Sequence, residues 1–502
     1  MRIWALLLVL TTANTFLLTA QDDVIPLRLR EVVPNQEQGG FVVVMLDDLR
    51  RPGIVTLRYF DQQERMQAET TIPIREEGLP AQYEGVFFWQ GHLHLLSSVY
   101  NPGPKRNDLI LQSYRVSDLQ PLGRQILAEA YTPRAYRIPF GYSLSSDRHS
   151  LMVYGWSYTL PEDSAKLDVR VFDESLTPRW EQRYVLPFNN QGLYIYDADV
   201  KNNGEALLYC EYYTGNPGRS VDERKIQHFM LAGAEGRNSF LKYQFDLPNR
   251  ILDGLHLQLQ PNQELIGAAF YRERRNGKNE GLYTFRIPPD GKSIDKQIYP
   301  LTEERFEDAY PDPDGEPAFN PNKPRFRDFF VDHIYEDKSG DLLLLAEQRI
   351  EHMTDFDIEF NDILILKTSG AALTAVKRIP KRQTSVQNNW SFFSYKSIRA
   401  GDAVYIFYND DRNNHNPARP SRTLDMYTGG PSAVIASYID WSGDYRSILI
   451  NRDQNQQLRM FWPERSYLLP GRRMLFYTER QERNGGVGLF IGIDLVSLSL
   501  RN

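Results

Sequence analysis

Short apolar runs separated by polar turns recur along almost the whole chain, and beyond residue 22 no stretch holds a helical period. Apolar runs at 41–45, 92–96, 151–156, 206–212, 264–270, 341–347, 403–408 and 473–479 each follow a polar turn, the pattern of a strand. A second run follows each of them, at 54–61, 108–116, 167–173, 225–231, 281–287, 362–368, 433–440 and 488–494. Within the third of these, Leu167, Val169 and Val171 alternate with Asp168 and Arg170, which places the apolar side chains on one face. The second series begins at 54, 108, 167, 225, 281, 362, 433 and 488, so the steps are 54, 59, 58, 56, 81, 71 and 55 residues. A strand-built period of about 40–55 residues is the sequence sign of propeller blades, and the two long steps are read as insertions.

A third run closes most units after a short turn, at 68–74, 123–130, 181–188, 241–248, 296–302, 375–381 and 445–451, and an opening run precedes each first one, as at 140–145 and 328–335. Four strands per unit make one antiparallel blade. The expected fold is therefore all-β, a single propeller of four-stranded blades over 21–502, eight in number, with seven plus one split blade as the alternative. The eighth unit offers only 497–500 as its last strand, and 24–30 is the N-terminal segment expected to close the ring there. Closure is needed because an open ring leaves two unpaired sheet edges.

The turns before the apolar runs carry a resemblance. Ser145-Ser146-Asp147-Arg148-His149-Ser150 precedes Leu151-Met152-Val153-Tyr154, with similar turns at Lys201-Asn202-Asn203-Gly204-Glu205 and Asp337-Lys338-Ser339-Gly340-Asp341. They resemble the Ser-x-Asp-Gly turn of TolB-like propellers, although the Ser-Pro-Asp-Gly form is absent throughout. The resemblance implies a fold and a scaffold role and brings no catalytic residue.

The first twenty residues read as a leader: Arg2, an apolar stretch over 4–10, and Leu18-Thr19-Ala20 before Gln21. Thr11, Thr12, Asn14 and Thr15 interrupt what would otherwise be a membrane anchor. Export to a periplasm or the outside is expected, from a bacterial source, with no membrane span after cleavage. Cys210, the single cysteine, excludes an internal disulfide and is expected to be a buried thiol. With 58 Lys and Arg against 65 Asp and Glu, the net charge of −7 gives no argument for nucleic acid as a partner. Aromatic residues make up 12% of the chain, led by 29 Tyr, a bias that suits sheets.

Loop lengths carry the functional signal. Connections between second and third strands are long, at 101–107, 157–166, 213–224, 272–280, 348–361, 409–432 and 480–487, whereas the other turns within a blade are short. The 303–327 insertion joins two blades, and in an antiparallel blade both kinds of connection emerge on the same side of the disc. The candidate binding residues follow from those loops. Asn409, Asp410, Asp411, Arg412, Asn414, His415 and Arg419 crowd amide, carboxylate and guanidinium groups that suit sugar hydroxyls or hard cations. Asp355 and Asp357 lie on the preceding blade's loop, placed to pair with Arg412 or Arg419. Arg272 and Arg274, with Arg275 and Lys278, form a basic loop suited to a carboxylate or sulfate. Asp312-Pro313-Asp314-Gly315 hints at calcium, yet Tyr310 and Pro321 stand where an EF-hand has its first and last ligands. His92 and His94 share a strand face as a metal pair would, without an identifiable third ligand.

No complete catalytic motif and no cofactor-binding motif occurs, so the expected role is a monomeric, non-enzymatic, exported propeller that binds a protein or glycan on its long-loop face. The alternative is a polysaccharide hydrolase or lyase that uses Asp410, Asp411, Arg412 and His415 with the acidic loops.

Overall fold

The computed structural model describes residues 15–17 and 28–495, apart from 49–52, 77, 134–139, 158–163, 190–191, 214–225, 274–276, 303–327, 353–356, 386–391, 416–423, 426–431, 451–459, 470–472 and 483–484. The described strands form eight antiparallel sheets, six of them with four strands. They span 28–73 (blade 1), 75–131 (blade 2), 140–189 (blade 3), 193–244 (blade 4), 251–300 (blade 5), 329–379 (blade 6), 395–449 (blade 7) and 467–494 (blade 8). This is an eight-bladed propeller. In blades 1 to 5 and 7 the strands pair in chain order, as in blade 3, where Phe140–Leu144, Leu151–Ser157, Ser164–Phe172 and Pro178–Asn189 lie side by side. First strands of neighbouring blades touch one another, Phe140–Leu144 against Leu193–Val200 and Ile251–Leu259 against Phe329–Glu336, so they form the wall of a central channel.

The last blade closes differently from the expectation. Its fourth strand is Thr15–Leu17, with Thr15, Phe16 and Leu17 opposite Ile491, Phe490 and Leu489. Segment 24–30 does not fill that place: from Arg28 onward it is the first strand of blade 1, Arg28–Pro34, paired with Phe41–Leu46. The 497–500 segment lies outside the described residues. The closing strand thus falls inside the stretch that reads as a leader.

Apolar contact between blades closes the ring. Eight buried clusters are present among the described residues, one at each junction of neighbouring blades. Between blades 5 and 6, Ile266, Ala268, Phe270 and Leu282 meet Phe329, Leu342, Leu344 and Leu364. Between blades 8 and 1, Leu469, Leu475 and Tyr477 meet Leu29, Val32, Phe41 and Phe60. Each fully buried Leu or Phe contributes roughly 1.5–3 kcal/mol relative to exposure, so the second and third strands, apolar on both faces, drive assembly.

The turn between first and second strands explains the recurrent motif. Its fourth residue is left-handed in four successive blades: Arg148 at +61°, Gly204 at +85°, Gln263 at +71° and Gly340 at +88°. Glycine takes that conformation freely, whereas an L side chain pays about 1–2 kcal/mol. In blade 6 the Asp337 carboxylate also accepts the N–H groups of Ser339 and Asp341 at 2.8 and 3.0 Å.

Thr15–Leu17 adds three residue pairs at the edge of blade 8, so a chain beginning at Gln21 is expected to keep its far-ultraviolet β signal and cooperative melting, with a midpoint only a few degrees below that of the full chain. Loss of the cooperative transition would assign ring closure to the N-terminal strand.

Candidate functional site

The two ends of the channel are built differently. On the side of the short turns, first-to-second-strand turns bridge across the mouth. Arg148 of blade 3 donates to Gln36 Oε1 of blade 1 at 3.0 Å and to the Phe88 carbonyl of blade 2, while its own carbonyl accepts from the Trp89 indole at 2.5 Å. Gln263 of blade 5 donates to Ser146 Oγ of blade 3 at 3.0 Å and accepts from the Asn202 N–H of blade 4 at 2.7 Å. Turns from blades 1 to 5 are thereby linked by hydrogen bonds over this end.

At the opposite end, blades 6 and 7 carry a raised structure. The strands Leu342–His352 and Asp357–Ser369 are 11 and 13 residues long, against 8 and 7 for their counterparts in blade 5. On their projecting part, Gln383–Ser385 pairs with Ile358 to Phe360, and Leu424–Asp425 of blade 7 pairs parallel with Gln383 and Thr384. The long blade 7 connection is thus laid on blade 6 by backbone hydrogen bonds, Leu424 N to Arg382 O at 2.9 Å among them.

The structure divides the candidate residues expected from the sequence. Asn409, Asp410 and Asp411 are not loop residues: they end the strand Ala403–Asp411 and are buried, at 0%, 1% and 5% exposure. The carboxylates proposed for the hydrolase alternative therefore sit in the fold. Asn409 Nδ2 donates to the carbonyls of Phe392 and Phe461 at 2.7 Å each, and Asp410 Oδ1 accepts from Asn414 Nδ2 at 2.7 Å. Arg412 opens the short 3-10 helix Arg412–His415 and is exposed. Asp357 begins a blade 6 strand opposite His352. Arg272 is held by Asp253 at 2.8 Å, both mostly buried, with Asn279 on the same carboxylate at 3.0 Å, so its guanidinium is committed within the blade. Arg274, Asp355, Arg419 and the 303–327 insertion, calcium-like stretch included, lie outside the described residues. His94 is structural: Nε2 lies 3.1 Å from the Trp89 carbonyl and Nδ1 3.0 Å from Ser113 Oγ, and burial pushes its pKa down to about 4.

Beneath the raised structure runs a buried polar network. Lys381 Nζ meets Glu347 Oε1 at 2.6 Å, Gln383 Oε1 at 3.0 Å and the Phe360 carbonyl at 3.2 Å, and both charged side chains are 0% exposed. Ser394 Oγ and Arg349 Nε donate to Glu347 Oε2 at 2.7 and 3.0 Å. Gln383 Nε2 donates to the Asn409 carbonyl at 2.6 Å, joining the network to blade 7, and Asn409 carries it on to Phe461. Arg349 Nη2 also donates to Asp332 Oδ1 at 2.5 Å, which brings the chain of contacts to the channel wall. Burial, reinforced by the charge of Glu347 and opposed by Arg349, pushes Asp332 up to about 7. Glu347 itself is lowered, because Lys381 and Arg349 outweigh its burial.

The channel wall is the part that sequence reasoning missed. Register shifts interrupt the first strands of blades 1, 2, 4, 5 and 6 at similar places, and such bulges re-aim side chains. The wall carries Glu31, Tyr83, Tyr142, Tyr196, Asp197, Asp199, His256, Asp332, His333 and Tyr467. Tyr196 keeps 43% of its surface accessible, yet protein encloses it densely enough to raise its hydroxyl pKa, as expected for a group facing a water-filled channel. Burial also raises Glu31, Asp197 and Asp199 and lowers His256 to about 4 and His333 to about 3. At neutral pH both histidines are uncharged hydrogen-bonding rings. Among the described residues no group of three or more His, Cys, Asp or Glu is placed to hold a metal ion, and no helix is long and apolar enough to cross a membrane.

No family model and no curated protein sequence matches the chain. Similar solved structures include the polysaccharide lyase Uly1, 9% identical with a TM-score of 0.40, covering 82% of this chain and 90% of that one. The β-propeller domain of the Trilobed protease from Pyrococcus furiosus is 11% identical with a TM-score of 0.37, covering 89% and 99%. Prolyl oligopeptidase B from Galerina marginata is 9% identical with a TM-score of 0.41, covering 93% and 55%. Likeness at this level carries no inference about activity.

Two outcomes follow from the network. Glu347→Ala leaves the Lys381 ammonium buried without its carboxylate and is expected to cost about 3–5 kcal/mol in urea denaturation. Asp332 has a folded pKa above its unfolded one, so its contribution to stability is full below about pH 4 and is lost as pH rises through about 7. The melting temperature of Asp332→Asn relative to wild type is therefore expected to improve from pH 4.5 to pH 7.5. A pH-independent difference would show that Asp332 does not titrate in this window.

Proposed function

We propose that the chain is an exported β-propeller that recognises a carbohydrate in the channel mouth, on the side bearing the long connections. The observation that supports this best is the composition of the wall: tyrosine and histidine rings interleaved with carboxylates on first strands. A pyranose has apolar C–H faces that stack on such rings and hydroxyls that donate to carboxylates, and sites of this kind combine aromatic walls with a few placed polar groups. The bridged turns at the other end favour entry from the long-loop side. The raised structure over blades 6 and 7 supplies a rigid rim, on which Arg412 is exposed.

A glycan array followed by calorimetry on the hits tests this reading, with Tyr196→Ala as the wall variant. Binding weakened about tenfold or more by Tyr196→Ala, at an unchanged melting temperature, is the expected result. Capture of proteins with no glycan bound would replace it by protein recognition, and new reducing or unsaturated ends in the incubated glycans would make the propeller an enzyme.

A further inference from the structure

Several of the fold's desolvated cations are paired with carboxylates among the described residues. Lys201 has Glu205 at 2.8 Å, Arg272 has Asp253 at 2.8 Å, and Arg286 has Glu264 and Glu336 at 2.8 and 2.6 Å. Arg349 has Asp332 at 2.5 Å and Glu347 at 3.0 Å, and Lys381 has Glu347 at 2.6 Å. Lys396 departs from this pattern. It is the second residue of Tyr395–Ala400, the first strand of blade 7, and so lies at the long-loop end of the channel wall. No hydrogen bond or ion pair holds its ammonium among the described residues.

Two of its neighbours are uncharged rings. Nζ lies 5.9 Å from the Tyr467 ring centroid on the first strand of blade 8. Burial keeps the Tyr467 hydroxyl protonated, and His333 of blade 6, within electrostatic reach of Lys396, is uncharged. Glu464, an exposed residue of the 3-10 helix Pro463–Arg465, is the carboxylate whose field acts on it, from beyond ion-pair distance. Burial therefore dominates and lowers the Lys396 pKa. Lys396 is half-buried, and an ammonium that has lost part of its hydration is stabilised by an anion that reaches it.

We infer that Lys396 receives a carboxylate or sulfate of the ligand, so that the carbohydrate bound in the channel mouth is an acidic one. The inference rests on the carbohydrate reading above and adds the chemical class. An arriving anion replaces the missing counter-ion, restores the charged state of the lysine and gains strength from the low dielectric of the wall. The neighbouring Tyr467 ring offers the stacking face for the same sugar. Arg30, on the first strand of blade 1, puts a second cation on the wall beside Glu31.

The test is calorimetry on the full chain with three probes of equal length: oligogalacturonate, a sulfated chondroitin oligosaccharide and neutral cello-oligosaccharide. Wild type, Lys396→Met and Lys396→Arg are compared, each checked for an unchanged melting transition. Wild type is expected to bind at least one acidic probe about tenfold or more tighter than the neutral one. Lys396→Met should abolish that preference and Lys396→Arg should keep most of it. Tighter binding of the uronate or of the sulfated chain identifies which anion the site takes. In parallel, Lys396 should react readily with trinitrobenzenesulfonate at pH 8, read by peptide mass spectrometry, and the preferred acidic probe should protect it. That readout stands even where Lys396→Met does not fold. Neutral and acidic probes bound alike, or an acid preference unchanged in Lys396→Met, would overturn the inference while leaving carbohydrate recognition in place. No binding by any carbohydrate would remove both.

Discussion

Everything in this molecule depends on apolar contact between the faces of neighbouring blades. A four-stranded sheet with valine, leucine and phenylalanine on both faces cannot be stable alone, because one sheet covers neither of its own faces. Leu344 points to blade 5 and Leu345 to blade 7, and both are fully buried. The same alternation repeats in the other blades, so each sheet is satisfied only between two others. A row of such sheets has two bare ends, and the ring removes them by placing Leu469 and Leu475 of blade 8 against Leu29 and Val32 of blade 1.

That arrangement sets the electrostatics of the interior. Seals on both sides of every blade leave the first strands lining the central channel, where the surrounding protein displaces many ionisable groups in the direction burial dictates. Carboxylates such as Glu31 and Asp199 rise, and His256, His333 and Lys396 fall. Where the fold needs a charge to remain in place it supplies partners, as with Glu347, whose burial is outweighed by the charges of Lys381 and Arg349. In the proposed reading, structural and ligand-facing charges differ in partnership, since burial is common to both.

The blades were legible in the sequence because second and third strands obey a period of two and lie buried on both faces. Runs at 41–45, 151–156 and 281–287 match strands beginning at Phe41, Leu151 and Gly281. First strands read poorly, since a strand that lines water carries polar residues and bulges: Leu193–Val200 contains Tyr194, Tyr196, Asp197 and Asp199. The channel wall was missed for that reason. The opposite error befell Asn409, Asp410 and Asp411. A polar triplet after Tyr408 looks like the start of a loop, yet the strand continues and buries all three, because partners distant in sequence, Phe392, Phe461 and Gln383, satisfy Asn409. Sequence spacing carries no sign of such long-range satisfaction. Arg148 is a related case. The expected turn would have glycine there, and the arginine accepts a left-handed backbone while its side chain and carbonyl tie blades 1, 2 and 3 together.

The proposed placement of recognition rests on the asymmetry of the two ends. Hydrogen bonds between turns that skip a blade, Gln263 to Ser146 and Arg148 to Gln36, draw the short-turn end inward and use up its donors and acceptors among themselves. The other end spends its polar groups in the opposite manner. Its deepest layer, from Asp332 through Arg349, Glu347 and Lys381 to Asn409, is joined by consecutive hydrogen bonds that tie blade 6 to blade 7. A base so constrained loses little further entropy when a ligand settles above it, so binding there is not taxed by the ordering of the site. Lys396 stands on the first strand of blade 7, two residues after Ser394, whose hydroxyl anchors that strand to Glu347. The buried network therefore positions an ammonium that has no counter-ion among the described residues, and the stability of the base and the proposed chemistry of the mouth trace to the same set of bonds.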